Sequence, residues 1–311
     1  PTQTFGTIAD PCDDEEINAG DPGTFRVQNC TATFAQLGIA LPFNDTSSEA
    51  TRGTFLGNPN LTPEVADTFT IGIVVAPSFL PGLTFAIDYY DIELTNAIET
   101  FSAQTIVDKC YDLPQPNTFC SLLTRSTSGV NPGRINSFTQ QTLNVANYFT
   151  AGYDFSVRYN LDPTDLGIER DIGRFAISLV GNKLETLTFV ELVGATPDDD
   201  VGEPSAPEWQ VSLDITWTWR DLTVNYGYNY FSKTERFSDA RRADPDYVDP
   251  QYWYYSARST HDLQARYKIN DIAVVYGGVI NLFNQEPEIQ EYNYPVSARG
   301  REFYVGVTAR F

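Results

Sequence analysis

Three observations predict an all-β chain built as an antiparallel, up-and-down transmembrane β-barrel. Apolar and polar residues alternate with a period of two over most of residues 58–311. Connections between the alternating segments are short and long by turns, which in an up-and-down sheet puts all short turns at one end and all long loops at the other. Aromatic residues gather at strand ends on the apolar parity, as the girdles of a membrane barrel require. In a strand, successive side chains face opposite sides, so each parity reads as one face.

Residues 1–57 show no sustained period and read as a long loop, with acidic, turn-rich text at 10–23 and 42–53. Strands follow at 64–76 and 82–97, around a short turn at Pro77–Gly82, and at 151–161, where Ala151, Tyr153, Phe155, Val157, Tyr159 and Leu161 oppose Gly152, Asp154, Ser156, Arg158 and Asn160. After Asp162–Arg170 comes a strand at 171–188. The clearest pair is 209–219, with Trp209, Val211, Leu213, Ile215, Trp217 and Trp219 on one face, and 222–230 beyond the Arg220-Asp221 turn. Strands at 257–268 and 271–283 share the Asn270-Asp271 turn, and 301–311 closes a set of about nine. Long polar connections fill 98–135, 189–206, 237–256 and 284–300. A soluble β-sandwich also alternates, but its core favours Val, Ile and Leu in mid-strand. Here the polar face is rich in Thr, Asn, Ser and Gly, which suits a wet lumen.

The chain's 311 residues carry 20 Lys and Arg against 41 Asp and Glu, a formal charge of −21. That balance excludes nucleic acid as a partner, because such affinity rests on cations that neutralise phosphates. No run approaches the ~18 apolar residues of a spanning helix. Methionine is absent and the chain opens at Pro1, which reads as a processed product or a piece of something longer. Cys12, Cys30, Cys110 and Cys120 allow three pairings; local pairing, Cys12 with Cys30 and Cys110 with Cys120, is the simplest, and it implies an oxidising compartment. One histidine and no CxxC leave no metal-ligand set. Catalytic motifs such as GxSxG, a P-loop or HExxH are absent, so neither enzyme activity nor a cofactor is expected.

Ordered pieces of text resemble TonB-dependent outer-membrane receptors: Gly57-Asn58-Pro59-Asn60-Leu61-Thr62-Pro63-Glu64 before a strand, Ile87-Asp88-Tyr89-Tyr90-Asp91-Ile92 after Pro81-Gly82-Leu83, Ala151-Gly152-Tyr153-Asp154, Gly278-Val279-Ile280-Asn281-Leu282-Phe283-Asn284, and Arg299-Gly300-Arg301-Glu302-Phe303-Tyr304. Paired loop cysteines and a short loop helix over Ser102–Tyr111 fit the same family. The resemblance spans about residues 57–311. It implies the C-terminal nine or so strands of a 22-stranded barrel, with residues 1–57 a long extracellular loop region, residues 58–311 the C-terminal barrel strands, and an N-terminal plug and earlier strands not present in this sequence. Nine strands leave an open edge, so the chain is a fragment or one piece of a divided barrel whose other half is a separate chain.

The function implied is uptake of a scarce nutrient, an iron–siderophore or an oligosaccharide, across the outer membrane. Implied partners are the TonB complex through the plug, outer-membrane lipid, a small-molecule ligand, and the barrel-assembly machinery, which reads a final strand like Phe303, Val305, Val307, Ala309 and Phe311. Alternatives are a passive porin or adhesin barrel, and a soluble secreted glycan-binding β-protein. The best ligand-contact candidates are Tyr247, Tyr252, Trp253, Tyr254 and Tyr255, whose rings suit a sugar or an aromatic iron chelate, with Arg241 and Arg242 upstream to meet an anion or to offset Asp244 and Asp246. The bland reading of Trp253–Tyr255 is the girdle start of the next strand.

Overall fold

The computed structural model describes residues 2–19, 25–45, 50–129, 131–191, 195, 197–237, 239–243, 248–288 and 296–310. Two compact units emerge: the first takes Pro1–Val65, Leu94–Asn147 and Val190–Thr196, the second Ala66–Glu93, Tyr148–Phe189 and Pro197–Phe311. Elements in chain order are β1 (Thr2–Gly6), α1 (Arg26–Leu37), β2 (Thr51–Leu56), β3 (Val65–Val75), β4 (Leu83–Thr100), α2 (Ala103–Asp112), β5 (Leu123–Arg125), β6 (Ile135–Leu161), β7 (Arg174–Val190), β8 (Asp198–Asp199), β9 (Trp209–Trp219), β10 (Leu222–Phe231), β11 (Thr234–Glu235), α3 (Asp239–Arg242), β12 (Tyr254–Tyr255), β13 (Arg258–Lys268), β14 (Ala273–Ile280) and β15 (Glu302–Ala309).

The second unit is a wall of nine strands in the order β3-β4-β6-β7-β9-β10-β13-β14-β15. Its register makes the alternation a physical face. Ile177, Ile215, Tyr226, Leu263, Val279 and Phe303 are successive cross-strand partners from β7 to β15. Two residues along, Phe175, Trp217, Val224, Ala265, Gly277 and Val305 do the same in the row on that side of the sheet. On the other face, Ala176, Thr216, Asn225, Gln264, Gly278 and Tyr304 form a polar row. Apolar side chains that water would drive into a core stay outside: Ile71, Ile73, Val305 and Val307 are among the large exposed hydrophobics. Such a face demands an apolar solvent, which a bilayer supplies. Trp209 and Trp217 stand eight residues apart on β9; at ~3.3 Å per residue and ~40° tilt that is a rise of about 20 Å. Among the described residues, β3 pairs only with β4 and β15 only with β14, so the wall ends in two one-sided edges.

Glycine and tyrosine interlock on the polar face of the last two strands. Tyr276 is the register partner of Gly306, and Tyr304 that of Gly278. A Cβ added at either glycine would run into the facing ring, so each ring lies over the bare backbone opposite.

The first unit is built like a small soluble domain. Phe34, Phe43, Phe101, Ile106, Tyr111, Phe119, Leu122 and Leu143 form one buried cluster with Cys12, Cys30 and Cys110. Disulfides join Cys12 to Cys30 and Cys110 to Cys120. At its centre Arg125 and Asp10, each 3 % exposed, form a two-pronged ion pair at 2.5 and 2.7 Å. Arg125 also donates to the Tyr111 hydroxyl at 2.6 Å and lies over the Phe34 and Tyr111 rings. Arg26 clamps Asp112 at 2.6 and 2.7 Å, and Asn29 donates to the carbonyls of Tyr111 and Leu113, so α1 is tied to the end of α2. In this unit β2 runs parallel to β6 and antiparallel to β1.

Expectation and structure part in three places. The segment 1–57 contains β1, α1 and β2 where the sequence reading had only a loop. The strand expected at 151–161 begins sixteen residues earlier, at Ile135. Its added half belongs to the first unit, where it needs no lipid face and so lacks the alternation that marks one. The strand expected at 271–283 ends at Ile280, after which Asn281 turns with a positive φ of 54°.

Candidate ligand site

The segment between β10 and β13, in the second unit, folds back on itself. β11 and β12 pair antiparallel, Thr234 with Tyr255 and Glu235 with Tyr254, and the Arg236 amide donates to the Trp253 carbonyl at 2.9 Å. Asp249 caps a 3-10 turn over Pro250–Tyr252 by accepting from the Gln251 amide at 3.0 Å. The Glu235 amide donates to the Gly202 carbonyl at 2.7 Å, which ties the loop 197–208 to β11.

This frame separates the expected contact residues by role. Tyr255 is buried, with the Arg236 guanidinium 4.6 Å from its ring centre, and is a packing residue. Trp253 is half-buried and donates its indole N–H to the Val248 carbonyl. Tyr252 is exposed to 51 %. Tyr254 is also exposed, and its ring has the Lys233 Nζ at 4.4 Å and the Arg242 guanidinium at 5.3 Å. Arg242 spends its fork on Glu235, at 2.7 and 2.8 Å, and on the Phe237 carbonyl. Arg241 lies beside it in α3, on the exposed side. Tyr247, Asp244 and Asp246 lie outside the described residues. Tyr254 and Tyr255 belong to β12, separate from β13, so they do not begin the next strand of the wall.

Lys233, Glu235 and Arg236 escaped the sequence reading. Their signal was the charge-dense run Lys233-Thr234-Glu235-Arg236 placed directly after the aromatic end of β10. Lys233 has no carboxylate partner among the described residues, whereas Arg242 is neutralised by Glu235. The site therefore presents one uncompensated ammonium beside two exposed phenol rings, a combination that attracts an anion carrying an aromatic or planar face. In the adjoining loop, burial and then the charges of Asp198 and Asp199 push the Asp200 carboxyl up; burial and then Asp200, Asp198 and Glu235 do the same for Glu203.

The other residues of interest sit elsewhere. A concavity of about 390 Å³ on the polar side of the wall includes Asp88, Asp154, Asn182, Gln210 and Ser212. His261 accepts or donates at Nδ1 to the Tyr226 hydroxyl at 2.7 Å and packs edge-on to Phe283, on the apolar row with Tyr228. Phe303, Val305, Val307 and Ala309 share the apolar face of β15, and Phe311 lies outside the described residues. Among the described residues no group of His, Cys, Asp and Glu could hold a metal ion.

Comparison with known proteins matches residues 24–282 to the family model described as TonB dependent receptor-like, beta-barrel. Solved structures of similar fold include the ferric enterobactin receptor of Pseudomonas aeruginosa, at 16 % identity and a TM-score of 0.51 over 84 % of this chain and 34 % of that one. The FrpB iron transporter of Neisseria meningitidis matches at 14 % and 0.51, over 83 % and 33 %. The siderophore receptor PirA of Acinetobacter baumannii matches at 14 % and 0.50, over 87 % and 35 %. This chain spans about a third of the length of those structures. No curated protein matches it.

Proposed function

The chain belongs to the TonB-dependent receptor β-barrel family, an outer-membrane family of receptors and not of enzymes, and from that premise we propose that it is the C-terminal part of an uptake receptor for an anionic, aromatic iron chelate of the siderophore class. The observation that carries the ligand class is the Tyr254 ring with Lys233 at 4.4 Å and Arg242 at 5.3 Å, beside the exposed Tyr252. An anion gains a charge contact from the Lys233 ammonium that a neutral oligosaccharide does not. Iron and siderophore names among the structures of similar fold support the same class.

In this reading residues 58–311 are the last strands of a 22-stranded barrel, completed by strands and a plug from elsewhere in the protein or from a second chain. Long loops, with residues 1–57 among them, face the exterior; the short turns face the periplasm. Energy reaches the site through TonB and the plug. The barrel-assembly machinery recognises β15 by Phe303, Val305, Val307, Ala309 and Phe311.

The test is equilibrium binding to the complete receptor in detergent. A ferric catecholate is expected to bind, and Lys233→Ala and Tyr254→Ala each weaken it by about 1–2 kcal/mol, the scale of a cation–π or desolvated aromatic contact. Equal binding by wild type and both variants removes the site; preference for a neutral oligosaccharide overturns the ligand class.

A further inference from the structure

We propose that the first unit carries a ligand site of its own, on the face of its small sheet around Arg52, for an acidic sugar: a hydroxylated ring that bears a carboxylate or a phosphate. This site lies wholly within the first unit and is independent of the loop site around Tyr254, which belongs to the second.

Strand alternation builds the site. In the order β1-β2-β6-β5, Phe5, Arg52, Ser137 and Thr124 are successive cross-strand partners and so share one face. The next pair, Gly53 and Phe138, belongs to the other face. Phe138 is buried, and a Cβ added at Gly53 would run into its ring, so β2 is seated closely on the interior. Arg52, one residue earlier, is thereby turned outward and is exposed, with the exposed Phe5 as its partner on β1.

The turn that follows β5 supplies much of the remaining lining. The Ser126 amide donates to the Arg134 carbonyl and the Gly133 amide to the Ser126 carbonyl, each at 2.8 Å, so the turn is closed on itself. Arg125, at the centre of the unit, donates to the Gly133 carbonyl at 2.7 Å and anchors it. The result is a cavity of about 580 Å³ whose lining includes Phe5, Arg52, Ser126, Ser128, Arg134 and Ser137. That volume is in the range of small-molecule sites.

Charge and proton accounting decide the ligand class. In a chain of formal charge −21, no carboxylate lines this cavity among the described residues. Asp45, outside the lining, is engaged with Asn131 at 3.1 Å and with Arg134 at 3.8 Å. The Arg52 guanidinium has neither an ion pair nor a hydrogen bond among the described residues. A fork left unspent in this way matches two oxygens of a carboxylate or a phosphate. The Thr124 and Ser137 hydroxyls share one hydrogen bond at 2.7 Å, which uses one of their hydrogens and leaves the other for a ligand. Ser128, exposed on the turn, adds a further hydroxyl. These groups suit the hydroxyls of a sugar, and the Phe5 ring suits its apolar C–H side. A bare inorganic anion would use Arg52 and leave the ring and the hydroxyls idle.

Saturation-transfer NMR on the complete receptor in detergent tests this with glucuronate, glucose 6-phosphate, glucose and inorganic phosphate as probes. At least one of the acidic sugars is expected to bind ~10-fold or more tightly than both glucose and inorganic phosphate, the scale of one charge-assisted hydrogen bond. Arg52→Ala and Arg52→Gln are expected to weaken that binding by a similar factor, and Phe5→Ala, on a different strand, by roughly 3-fold. Arg52 and Phe5 are exposed, so their replacement spares the core, and an unchanged proteolysis pattern of the first unit checks that each variant folds. Equal binding of glucose means that charge is not read, and equal binding of inorganic phosphate means that the sugar is not read. Binding that survives Arg52→Ala lies elsewhere. Any of these results, or no binding of either acidic sugar, overturns the proposal.

Discussion

The two units solve opposite solvent problems within one chain. In the first, every member of the large buried cluster comes from segments 1–65 and 94–147, and the charges that enter it are paired. In the second, long apolar side chains remain outside and the backbone ladder is complete from β4 to β14. Hydrophobic burial against water holds the first unit; register and an apolar surrounding hold the second. A substitution that is severe in one is therefore mild in the other.

The sharpest way to break this contrast is Arg125→Ala. It leaves the Asp10 carboxylate buried without its partner, which costs about 3–5 kcal/mol. Limited proteolysis is expected to open the first unit while the heat-resistant gel migration of the wall persists. Next in size is Cys12→Ser with Cys30→Ser, which opens an 18-residue loop and costs about 3 kcal/mol in the chain-entropy account. Chemical denaturation followed by tryptophan-independent probes in the first unit reads it, and the wall is expected to be indifferent.

The mirror experiment is Gly306→Ala in β15. The new methyl collides with the Tyr276 ring, an overpacking cost of about 1–3 kcal/mol. Here urea unfolding of the wall in vesicles shifts and proteolysis of the first unit does not. Gly278→Ala against Tyr304 reports on the reciprocal half of the interlock. The smallest effect is pH-dependent and local to the loop 197–208. Asp200 and Glu203 hold protons more tightly folded than unfolded, so the loop binds more protons when ordered, and stability rises as pH falls through the raised folded values toward the usual carboxylate range. Amide exchange at Val201, Gly202, Glu203, Ser205 and Ala206, corrected for its intrinsic rate, is expected to slow on acidification, and to do so less in the double variant Asp200→Asn with Glu203→Gln.

The same contrast explains what was legible in the text. Strands that meet lipid announce themselves, because one solvent is apolar and the other wet: 64–76 became Val65–Val75, and 209–219 was matched residue for residue. The helix α1 did not announce itself, since the residues it buries, Arg26, Asn29, Cys30 and Phe34, have helical spacing but mostly polar identities. Their burial depends on Asp112 and on the carbonyls of Tyr111 and Leu113, more than eighty residues away. The aromatic run 252–255 was visible as a cluster, yet which rings face out was decided by pairing with Thr234 and Glu235, a long-range fact that local composition does not encode.

The core of the first unit also sets how an antibody reads it. Its surface is assembled from three distant stretches of chain, joined through Cys12–Cys30, Cys110–Cys120 and the Arg125 centre. Antibodies raised on the folded protein are expected to read discontinuous epitopes there and to lose them on a reducing blot. Antibodies against the continuous text of β15 survive the same treatment, and the pair gives a simple stain for whether the first unit of the purified protein is intact.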